Sequence, residues 1–583
     1  MIKNELEKII KSAMSELGLP AGEAGIEAGE VHLEHPVDLK MGDYSTNVAM
    51  VYAKQLGQNL NPVRDNGSLK EPVSNGAREL AEKIVEKINL GPRDPSIEKI
   101  EVAGAGFINF YLKKDFFVDS VKEVLEQGEK FGSNEKLKGK KIMVEYTDPN
   151  PFKEIHIGHL TTNAIGESIS RIIGFNGAEI IRANYQGDVG MHVAKAIYGL
   201  LELRFDGSKI GDLAQAYAYG AKNFDDKKQE ITEINKKIYN RSDEKINRLY
   251  DTGREASLRY FEVIYKKLGT KFDEYFFESE TANIGKELVE KNIGKVFEES
   301  DGAIVFKGEN YGLHTRVFIN SEGLPTYEAK DLGLIKTKFE KYPDLDLSIS
   351  VTGNEVKEYF KVMLKAAEMV EPEWARKTKH ISHGMLRLPE GKMSSRTGDV
   401  ISAIGLMSEV EKEIQAKMQK SDNYDKTVEQ ITLSAVKYSI LKSASGKDII
   451  FDFEKSISIE GNSGPYLQYT FARTNSILEK AKSENISTWT PGVQVEGGVV
   501  SEVEKLIYRF PEVVELAGSV NEPHHIATYL SDLAQAFNSY YSGNKIVDVS
   551  DENSSYKVAL AGAVGQVIKN GLYLLGIETP NKM

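Results

Sequence analysis

The sequence contains no cysteine, and this absence excludes several kinds of chemistry from a chain of 583 residues. Without cysteine there is no disulfide bond, no zinc site built on thiolates and no cysteine nucleophile. His32 and His35 are three residues apart, but only Glu34 accompanies them, so the pattern does not favour a metal site. We therefore expect no structural zinc and no other metal site formed by side chains.

Long apolar runs and an excess of positive charge are also missing. No apolar run approaches the length of about 20 residues that a membrane-spanning helix needs. The first residues, Met1–Glu7, lack the apolar core of a signal peptide, and we expect a cytoplasmic protein without membrane association. The formal net charge of −13 argues against a general nucleic-acid-binding protein but leaves room for a local basic surface.

The sequence does contain a short motif, His156-Ile-Gly-His159, which lies between a strand-like run and a helix-like run. The apolar run before it, Ile142–Tyr146, predicts a strand, and the run after it, Leu160–Ile173, predicts a helix. A helix N-terminus offers N–H groups and partial positive charge to an anion. Imidazoles there can donate to phosphate oxygens, and a glycine lets a flat ring approach the backbone. The motif predicts a nucleotide-triphosphate site, although four residues can also match by chance.

Hydrophobic patterns divide the chain into regions, and more than one domain is expected at this length. Residues 1 to about 115 predict an α+β unit with strands at Ile97–Val102 and Phe107–Leu112. From residue 141 strands and helices alternate, which indicates an α/β fold with a parallel sheet. Residues 205 to about 300 predict a helical insertion, after which we expect the sheet to resume at Ala303–Phe306. From about residue 405 the pattern predicts helices.

A second candidate site is the loop Pro389–Gly398, which contains Lys392, Ser394, Ser395 and Arg396. Lysine offers phosphate a compact charge and arginine a forked one, while serine hydroxyls and backbone N–H groups add donors. Taken alone, the loop is better explained as a solvated basic segment.

Together with the order of the parts, the two loops resemble the signatures of class I aminoacyl-tRNA synthetases. The details resemble the arginyl-tRNA synthetase family over nearly the whole chain. The segments that carry this resemblance are Gly42–Asn47, Val102–Asn109, Tyr146–His159, Arg182–Asp188, Leu268–Asp273, Gly461–Tyr469 and Gly571–Glu578. Such collinearity is more specific than any single motif.

The resemblance implies a domain organisation and a reaction. It implies an N-terminal additional tRNA-binding domain over 1–115, a class I catalytic domain with a Rossmann-like sheet over 116–460, and an anticodon-binding helical bundle over 461–583. Arginine and ATP would give arginyl-adenylate and pyrophosphate, and the arginyl group would pass to the terminal adenosine of arginine tRNA. The family typically needs tRNA even for activation. Mg²⁺ would accompany ATP, and we expect a monomer.

The resemblance also implies roles for individual residues. The catalytic set would be His156, His159, Lys153 and Lys392. The ATP-binding set would be Gly158, Asp188, His383, Met385, Ser394, Ser395 and Arg396. The arginine-binding set would be Glu145, Asn150, Tyr327 and Asp331. Two carboxylates and a phenol suit a guanidinium, because its planar fork bonds a carboxylate through two N–H groups and an ammonium cannot. For Tyr327 and Asp331, four apart on one predicted helix face, ordinary surface polarity is the alternative.

The sequence departs from the family pattern at Ser395 and Asp148, and also within Thr352–Glu355, where the family has a glutamine. Ser395 stands where the second lysine of Lys-Met-Ser-Lys-Ser is usual, and Lys153, just before the first signature, would substitute for it. Arg396 is the alternative substitute. Asp148 stands where a serine is common, which implies a small change near the amino group of the substrate.

Two other functions fit parts of the sequence. A class I-like nucleotidylyltransferase that forms a different aminoacyl-adenylate would share both loops but would not need the N-terminal unit or the terminal helical region. A non-catalytic RNA-binding relative would tolerate loss of His156, His159 or Lys392, and all three are present.

Overall fold

The computed structural model describes residues 2–19, 31–59, 74–91, 94–388, 402–420, 423–487 and 500–583, without the side chains of 55–59, 74 and 75. The chain divides into two compact units. The first contains 1–131, 477–511 and 536–567, and the second contains 132–476, 512–535 and 568–583. The region 461–583 thus contributes residues to both units, and the domain boundaries expected from the sequence stay predictions.

The N-terminal part of the first unit is built around an antiparallel sheet. Its elements are α1 (Ile2–Glu16), β1 (Leu33–Glu34), β2 (Tyr44–Thr46), α2 (Val48–Asn59), α3 (Ser74–Leu90), β3 (Ile97–Ala103), β4 (Phe107–Leu112) and α4 (Lys114–Gln127). The strands lie in the order β1-β2-β4-β3. Ile108, Phe110 and Leu112 of β4 are all buried, because alternate residues of a strand face the same side. Both strands predicted for this region are confirmed.

The second unit contains a five-stranded parallel sheet with helices between its strands. The elements up to its third strand are β5 (Lys141–Glu145), α5 (Ile157–Phe175), β6 (Glu179–Gln186), α6 (Met191–Leu203), α7 (Ile210–Lys222), α8 (Lys228–Asn240), α9 (Glu244–Leu268) and β7 (Glu274–Phe277). The elements that follow are α10 (Glu278–Lys291), β8 (Glu298–Ser300), β9 (Ala303–Phe306), β10 (Arg316–Ile319), α11 (Tyr327–Lys341), β11 (Leu347–Gly353), α12 (Lys357–Val370), α13 (Pro372–Arg376), β12 (Thr378–His383) and β13 (Leu386–Arg387). The predicted α/β class with a parallel, Rossmann-like sheet is confirmed.

The strand order of this sheet, β12-β11-β5-β6-β7, places the motif. From β5 the chain first adds β6 and β7 on one side of the sheet, and it later adds β11 and β12 on the other side. The strand order therefore reverses at β5. Both neighbours of β5, the strands β6 and β11, run parallel to it. Ligands of open α/β sheets bind at the carboxyl ends of the strands beside such a point. The loop that follows β5 begins at Tyr146, and it carries the motif to this position.

Two details of the predicted core are wrong. The region predicted as a helical insertion contains α7, α8 and α9, but it also contains β7, which pairs with β6 as an edge strand of the parallel sheet. The strand β9 does not continue the parallel sheet, because it pairs with β8 and β10 in a separate antiparallel sheet. Strand pairing depends on partners distant in the sequence, which local periodicity does not reveal.

Helices dominate after residue 402, as predicted. The elements are α14 (Ala403–Lys417), α15 (Tyr424–Leu441), β14 (Ile449–Ile450), α16 (Phe453–Ser456), α17 (Gly464–Ser483), α18 (Glu502–Ile507), α19 (Phe510–Val520), α20 (His524–Gly543) and α21 (Ser554–Leu574). The short strand β14 pairs in parallel with β13. Within the described ranges, no helix has both the length and the apolar character required to cross a bilayer.

Candidate active site

The first turn of α5 is organised by the two histidines of the motif. His156 is the N-cap residue, with φ −103° and ψ 173°. Its Nδ1 accepts the backbone N–H of Gly158 at 3.1 Å, and Nδ1 of His159 accepts the backbone N–H of His156 at 3.3 Å. Two imidazoles thus form a capping box, a motif that serine or threonine usually builds with glutamate or glutamine. They satisfy two backbone donors that a helix start leaves open.

These contacts fix the protonation of both rings. A ring nitrogen that accepts a backbone N–H carries no proton, so in the neutral ring the proton lies on Nε2. Burial and the charge of Lys153 lower the pKa of His156. Burial, His156 and Lys153 together hold the pKa of His159 well below its ordinary value. Both imidazoles are therefore neutral near pH 7 and keep an Nε2–H donor, and their rings stack with centroids 3.7 Å apart.

Gly158 is required by the cap itself. A Cβ atom added here would lie 2.8 Å from Cε1 and 2.9 Å from Nδ1 of His156. A residue with a side chain would therefore push the imidazole away from the helix N-terminus. The resemblance assigned this glycine to ATP binding. The structure shows its contact with His156, and the ATP role stays a prediction.

Aromatic rings that pack onto glycines anchor the loop between β5 and α5. A Cβ added at Gly166 would lie 2.2 Å from Cγ of Tyr146, and one added at Gly253 would lie 2.3 Å from Cε1 of Phe152. The backbone N–H of Phe152 also donates to Oγ of Ser257 at 2.9 Å. The loop is thus attached to α5 at its start and to α9 at its middle.

Three non-glycine residues of this loop have positive φ angles: Thr147 at 81°, Asp148 at 48° and Phe152 at 69°. Such conformations cost energy, persist only where surrounding contacts enforce them, and cluster at functional sites. Two hydrogen bonds hold the first two residues. Asn163 donates to Oγ1 of Thr147 at 3.0 Å, and the backbone N–H of Tyr185 donates to Oδ1 of Asp148 at 2.8 Å.

Lys153 lies in the same loop, beside the histidines. Its ammonium nitrogen is 4.2 Å from the ring centroid of Tyr217 on α7. Its charge contributes to the lowered pKa values of His156, His159 and His192. One cation therefore lies near three neutral imidazoles. The structure brings Lys153 to the motif as the sequence suggested, and its catalytic role stays a prediction.

His192 also lies beside the motif, although no sequence pattern indicated it. It lies in the first turn of α6, and its Nε2–H donates to the carbonyl oxygen of Gly187 at 2.8 Å. Burial, assisted by the charge of Lys153, lowers the pKa of His192 to about 3. The available signal was its position, since a histidine that opens the helix after the strand next to β5 lies at the same edge of the sheet.

Glu145, at the end of β5, already has a partner. Its Oε2 lies 2.6 Å from Nζ of Lys338, and the two side chains are 5% and 2% exposed, so the ion pair is shielded from water. The same ammonium contacts Oγ of Ser348 at 3.3 Å. A guanidinium substrate would therefore meet a carboxylate whose charge is partly compensated.

Asp331 has the opposite environment, because no cation pairs with it among the described residues. It lies on α11, and it accepts a hydrogen bond from the hydroxyl of Tyr359. Burial raises the pKa of Asp331 to about 8, the hydrogen bond opposes this shift, and the charge of Glu145 adds to it. Burial and Glu145 also hold the pKa of Asp148 well above its ordinary value. The structure thus brings three carboxyl groups together at a point suited to a cation.

The remaining predicted arginine-binding residues lie around a second ion pair. Glu278 and Lys330 are both buried, with 2.6 Å between Oε2 and Nζ. Tyr327 is 60% exposed, and the Lys330 nitrogen is 5.2 Å from its ring centroid. A Cβ added at Gly187 would lie 2.3 Å from Oδ1 of Asn150 and 3.4 Å from Oε1 of Glu278. These contacts place Asn150 and Glu278 at the same corner of the site.

Asp188 is fully buried, and protein donors occupy both of its oxygens. Oδ2 accepts from Nε of Arg254 at 2.8 Å, from Oγ of Ser279 at 2.8 Å and from the hydroxyl of Tyr250 at 3.2 Å. Oδ1 accepts the backbone N–H of Ser279 at 2.8 Å. In this structure Asp188 shapes the turn after β6. Direct contact with ATP would require the network to open, and that role stays a prediction.

His383 ends β12 and is only 3% exposed. Its Nδ1–H donates to the carbonyl oxygen of Gly384 at 2.8 Å, and its Nε2 lies 2.9 Å from Oγ1 of Thr162 on α5. Burial lowers the pKa of His383, so its ring is neutral near pH 7, and the hydroxyl of Thr162 also contacts the carbonyl oxygen of Gly158 at 3.0 Å. Met385 is 51% exposed. Of these two residues, both expected to bind ATP, Met385 offers the accessible side chain and His383 links β12 to α5.

The second loop lies outside the described residues. Its predicted site residues are therefore not described: Lys392, Ser394, Ser395 and Arg396. The chain that follows the loop is described. Ser402, the N-cap of α14, forms an antiparallel bridge with His156. The N–H of Ala403 donates to the carbonyl oxygen of Ile155 at 2.9 Å. The chain therefore returns from the second loop to the motif.

A parallel sheet with a His-Ile-Gly-His helix cap at its switch point, to which the chain returns at Ser402, is the arrangement of a class I aminoacyl-tRNA synthetase. The family models agree. Residues 120–453 match the catalytic domain of class I (R) tRNA synthetases, residues 4–112 match the arginyl-tRNA synthetase N-terminal domain, and residues 467–583 match the DALR anticodon-binding domain. The chain belongs to the arginyl-tRNA synthetase family.

Individual relatives show how far the similarity extends. The arginine–tRNA ligase of Borrelia hermsii is 32% identical, and the alignment covers 100% of this chain and 99% of the relative. The arginine–tRNA ligase of Fusobacterium nucleatum is 31% identical over 93% of both chains. The structure of Thermus thermophilus arginyl-tRNA synthetase superposes with a TM-score of 0.75 over 100% of both chains at 23% identity, which supports the fold.

Proposed function

We propose that this protein ligates L-arginine to arginine tRNA in two steps. The arginine carboxylate attacks the α-phosphorus of ATP, and pyrophosphate leaves. A hydroxyl of the terminal adenosine of the tRNA then attacks the adenylate carbonyl, and AMP leaves. The single observation that carries the proposal is the pair of neutral, Nε2-protonated histidines that cap α5 beside Lys153. Both steps need positioning and charge stabilisation, and no covalent protein intermediate is required.

In the first step the cap of α5 binds the phosphates. His156 and His159 donate Nε2–H to phosphate oxygens, and the partial positive charge of the helix N-terminus acts in the same direction. Neutral imidazoles contribute hydrogen bonds, whereas Lys153 contributes the full charge that Ser395 does not supply. Lys392 holds the pyrophosphate side, with Arg396 nearby. Further ATP contacts come from the other residues assigned to it: Gly158, Asp188, His383, Met385, Ser394 and Ser395.

Arginine recognition uses the carboxyl groups at the end of β5 and on α11. The raised pKa of Asp331 means that its carboxyl group is largely protonated when no cation faces it. A guanidinium remains charged and favours the ionised form, so its arrival creates a charge-assisted pair. Glu145 adds the second carboxylate and Tyr327 a phenol. Asn150 holds the α-amino end of the substrate.

The remaining assignments follow the family. Residues 1–115 form an additional tRNA-binding domain, residues 116–460 the catalytic domain, and residues 461–583 the anticodon-binding domain. Mg²⁺ would accompany ATP and would supply positive charge to its phosphates. The enzyme works as a monomer in the cytoplasm.

Transfer of labelled arginine to tRNA tests the proposal. Purified protein is incubated with ATP, labelled arginine and arginine tRNA, and acid-precipitable label is counted. We expect label on arginine tRNA, and no label when ATP or the tRNA is left out. A matched tRNA for another amino acid is the specificity control. Absence of label on arginine tRNA in the complete reaction would reject the proposal.

A further inference from the structure

Helices α6 and α7 pack with their backbones in contact, and two glycines make this possible. A Cβ added at Gly199 would lie 2.0 Å from the carbonyl oxygen of Ala216. One added at Gly220 would lie 1.9 Å from the carbonyl oxygen of Lys195. The two contacts lie on either side of Tyr217 along α7. The position of this tyrosine is therefore fixed relative to α6, which begins at the site.

The ring of Tyr217 meets the ammonium group of Lys153. The nitrogen lies 4.2 Å from the ring centroid, well inside the distance of about 6 Å at which a cation is attracted to an aromatic face. The backbone before Lys153 is also fixed, because Phe152 packs on Gly253 and bonds to Ser257. Both partners of the contact are thus held by rigid neighbours.

The contact holds the lysine without neutralising it. Within the described ranges, no carboxylate lies within the 4.0 Å ion-pair distance of the Lys153 nitrogen. A carboxylate partner would cancel the charge that phosphate needs. An aromatic face attracts an ammonium through its quadrupole and leaves the net charge unchanged. It also restricts the flexible side chain before phosphate arrives, which reduces the entropy lost on binding.

We infer that Tyr217 is a positioning residue for adenylate formation, whose ring holds the Lys153 ammonium beside His156 and His159. The contact between Tyr217 and Lys153 thereby connects α7 to the part of the site that would bind the ATP phosphates. The inference rests on the proposed function, because it takes the ATP phosphates to be the target of Lys153.

The test compares variants in arginine-dependent ATP–pyrophosphate exchange with arginine tRNA present. Tyr217→Phe keeps the aromatic face, and we expect a kcat within about twofold of the parent. Tyr217→Leu removes the face, and we expect kcat to fall about fivefold, as for one partly desolvated cation–π contact. The KM for pyrophosphate should rise, while the KM for arginine stays unchanged. In a Lys153→Ala background, Tyr217→Leu should have no further effect, because the cation is already gone.

Tyr219→Leu is the matched control. Tyr219 lies in the same helix and stacks on Tyr198, and we expect the parent exchange rate from this variant. Thermal unfolding of every variant checks the fold, and Tyr217→Met replaces Tyr217→Leu if the latter does not unfold cooperatively.

Equal losses in the Phe and Leu variants, or additive losses in the double variant, would overturn the positioning role. A Lys153→Ala enzyme with the parent rate would overturn it as well, by removing Lys153 from the mechanism. Absence of exchange in the unaltered protein would instead reject the proposed function, so the two failures are distinguishable.

Discussion

The imidazole rings of His156 and His159 stack 3.7 Å apart, and each uses its Nδ1 to accept a backbone N–H at the start of α5. In the proposed mechanism one pair of side chains thereby has two functions. The Nδ1 atoms stabilise the helix N-terminus, and the Nε2–H groups would donate to phosphate. The two functions use different ring atoms, so substitutions can separate them.

His156→Asn keeps the cap and removes the donor. The asparagine Oδ1 replaces Nδ1 as the acceptor, and asparagine is a favoured N-cap residue. No donor remains at the position of Nε2. We expect kcat for exchange to fall by about 10²-fold or more, as when one donor to developing charge is lost, while Tm shifts by less than about 2 °C. His156→Ala, the control, should lower both quantities. A parent-like kcat in the Asn variant would show that Nε2 takes no part.

Arginine binding should release a proton through Asp331. Burial raises the pKa of its carboxyl group to about 8, and a guanidinium cation favours the ionised form. Below pH 8 binding must therefore displace a proton. We expect Kd for arginine to fall by up to about tenfold per pH unit between pH 6 and 8 and to level off above that. Isothermal titration in buffers of different ionisation enthalpy counts the protons. Asp331→Asn should bind weakly and with a shallower pH dependence, because the raised pKa of Asp148 remains, and an equal slope in the parent would exclude the linkage through Asp331.

Buried histidines should make the protein less stable in mild acid. Burial lowers the pKa of His192 to about 3 and that of His380 to about 4, whereas an unfolded histidine titrates near about 6.5. Below pH 6.5 the unfolded state therefore binds more protons than the native state, and stability falls as pH falls. We expect the free energy of unfolding, measured by denaturant titration, to decrease from pH 7 to pH 5. The decrease should be smaller in His380→Gln, by at most about 1.4 kcal/mol per pH unit. An identical slope in both proteins would contradict a neutral His380.

Gly220→Ala tests the backbone contact between α6 and α7. Its methyl group would lie 1.9 Å from the carbonyl oxygen of Lys195, so the helices must separate. We expect Tm to fall by several degrees and exchange to slow, because Tyr217 moves away from Lys153. Gly211→Ala is the matched control in the same helix, with no atom within 4 Å of the added Cβ. It should leave Tm unchanged or raise it, since alanine is the better helix former. Equal effects of the two substitutions would contradict the close packing.

The position of the motif could be predicted because its signals are local. The apolar run of β5, the histidines at the helix start and the glycine between them lie within a few residues of one another. Lys153 could be placed near the motif for the same reason. The resemblance to a family then supplied candidate roles for residues farther away, such as Asp331 and His383.

The partners of these residues could not be predicted, because they come from distant parts of the chain. Lys338 reaches Glu145 from α11, and Tyr217 reaches Lys153 from α7. Asp188 looked available for ATP, yet Arg254 on α9 and the start of α10 bury it. The pairing of β7 with the parallel sheet could not be predicted for the same reason. Each of these contacts depends on how helices and strands pack, which no local pattern of residue types records.

Amino-acid-dependent ATP–pyrophosphate exchange, run with each amino acid in turn and with or without arginine tRNA, tests the proposed function most directly. We predict exchange with arginine and only when arginine tRNA is present. Exchange with a different amino acid, or no exchange under any condition, would contradict the assignment of this protein as an arginine–tRNA ligase.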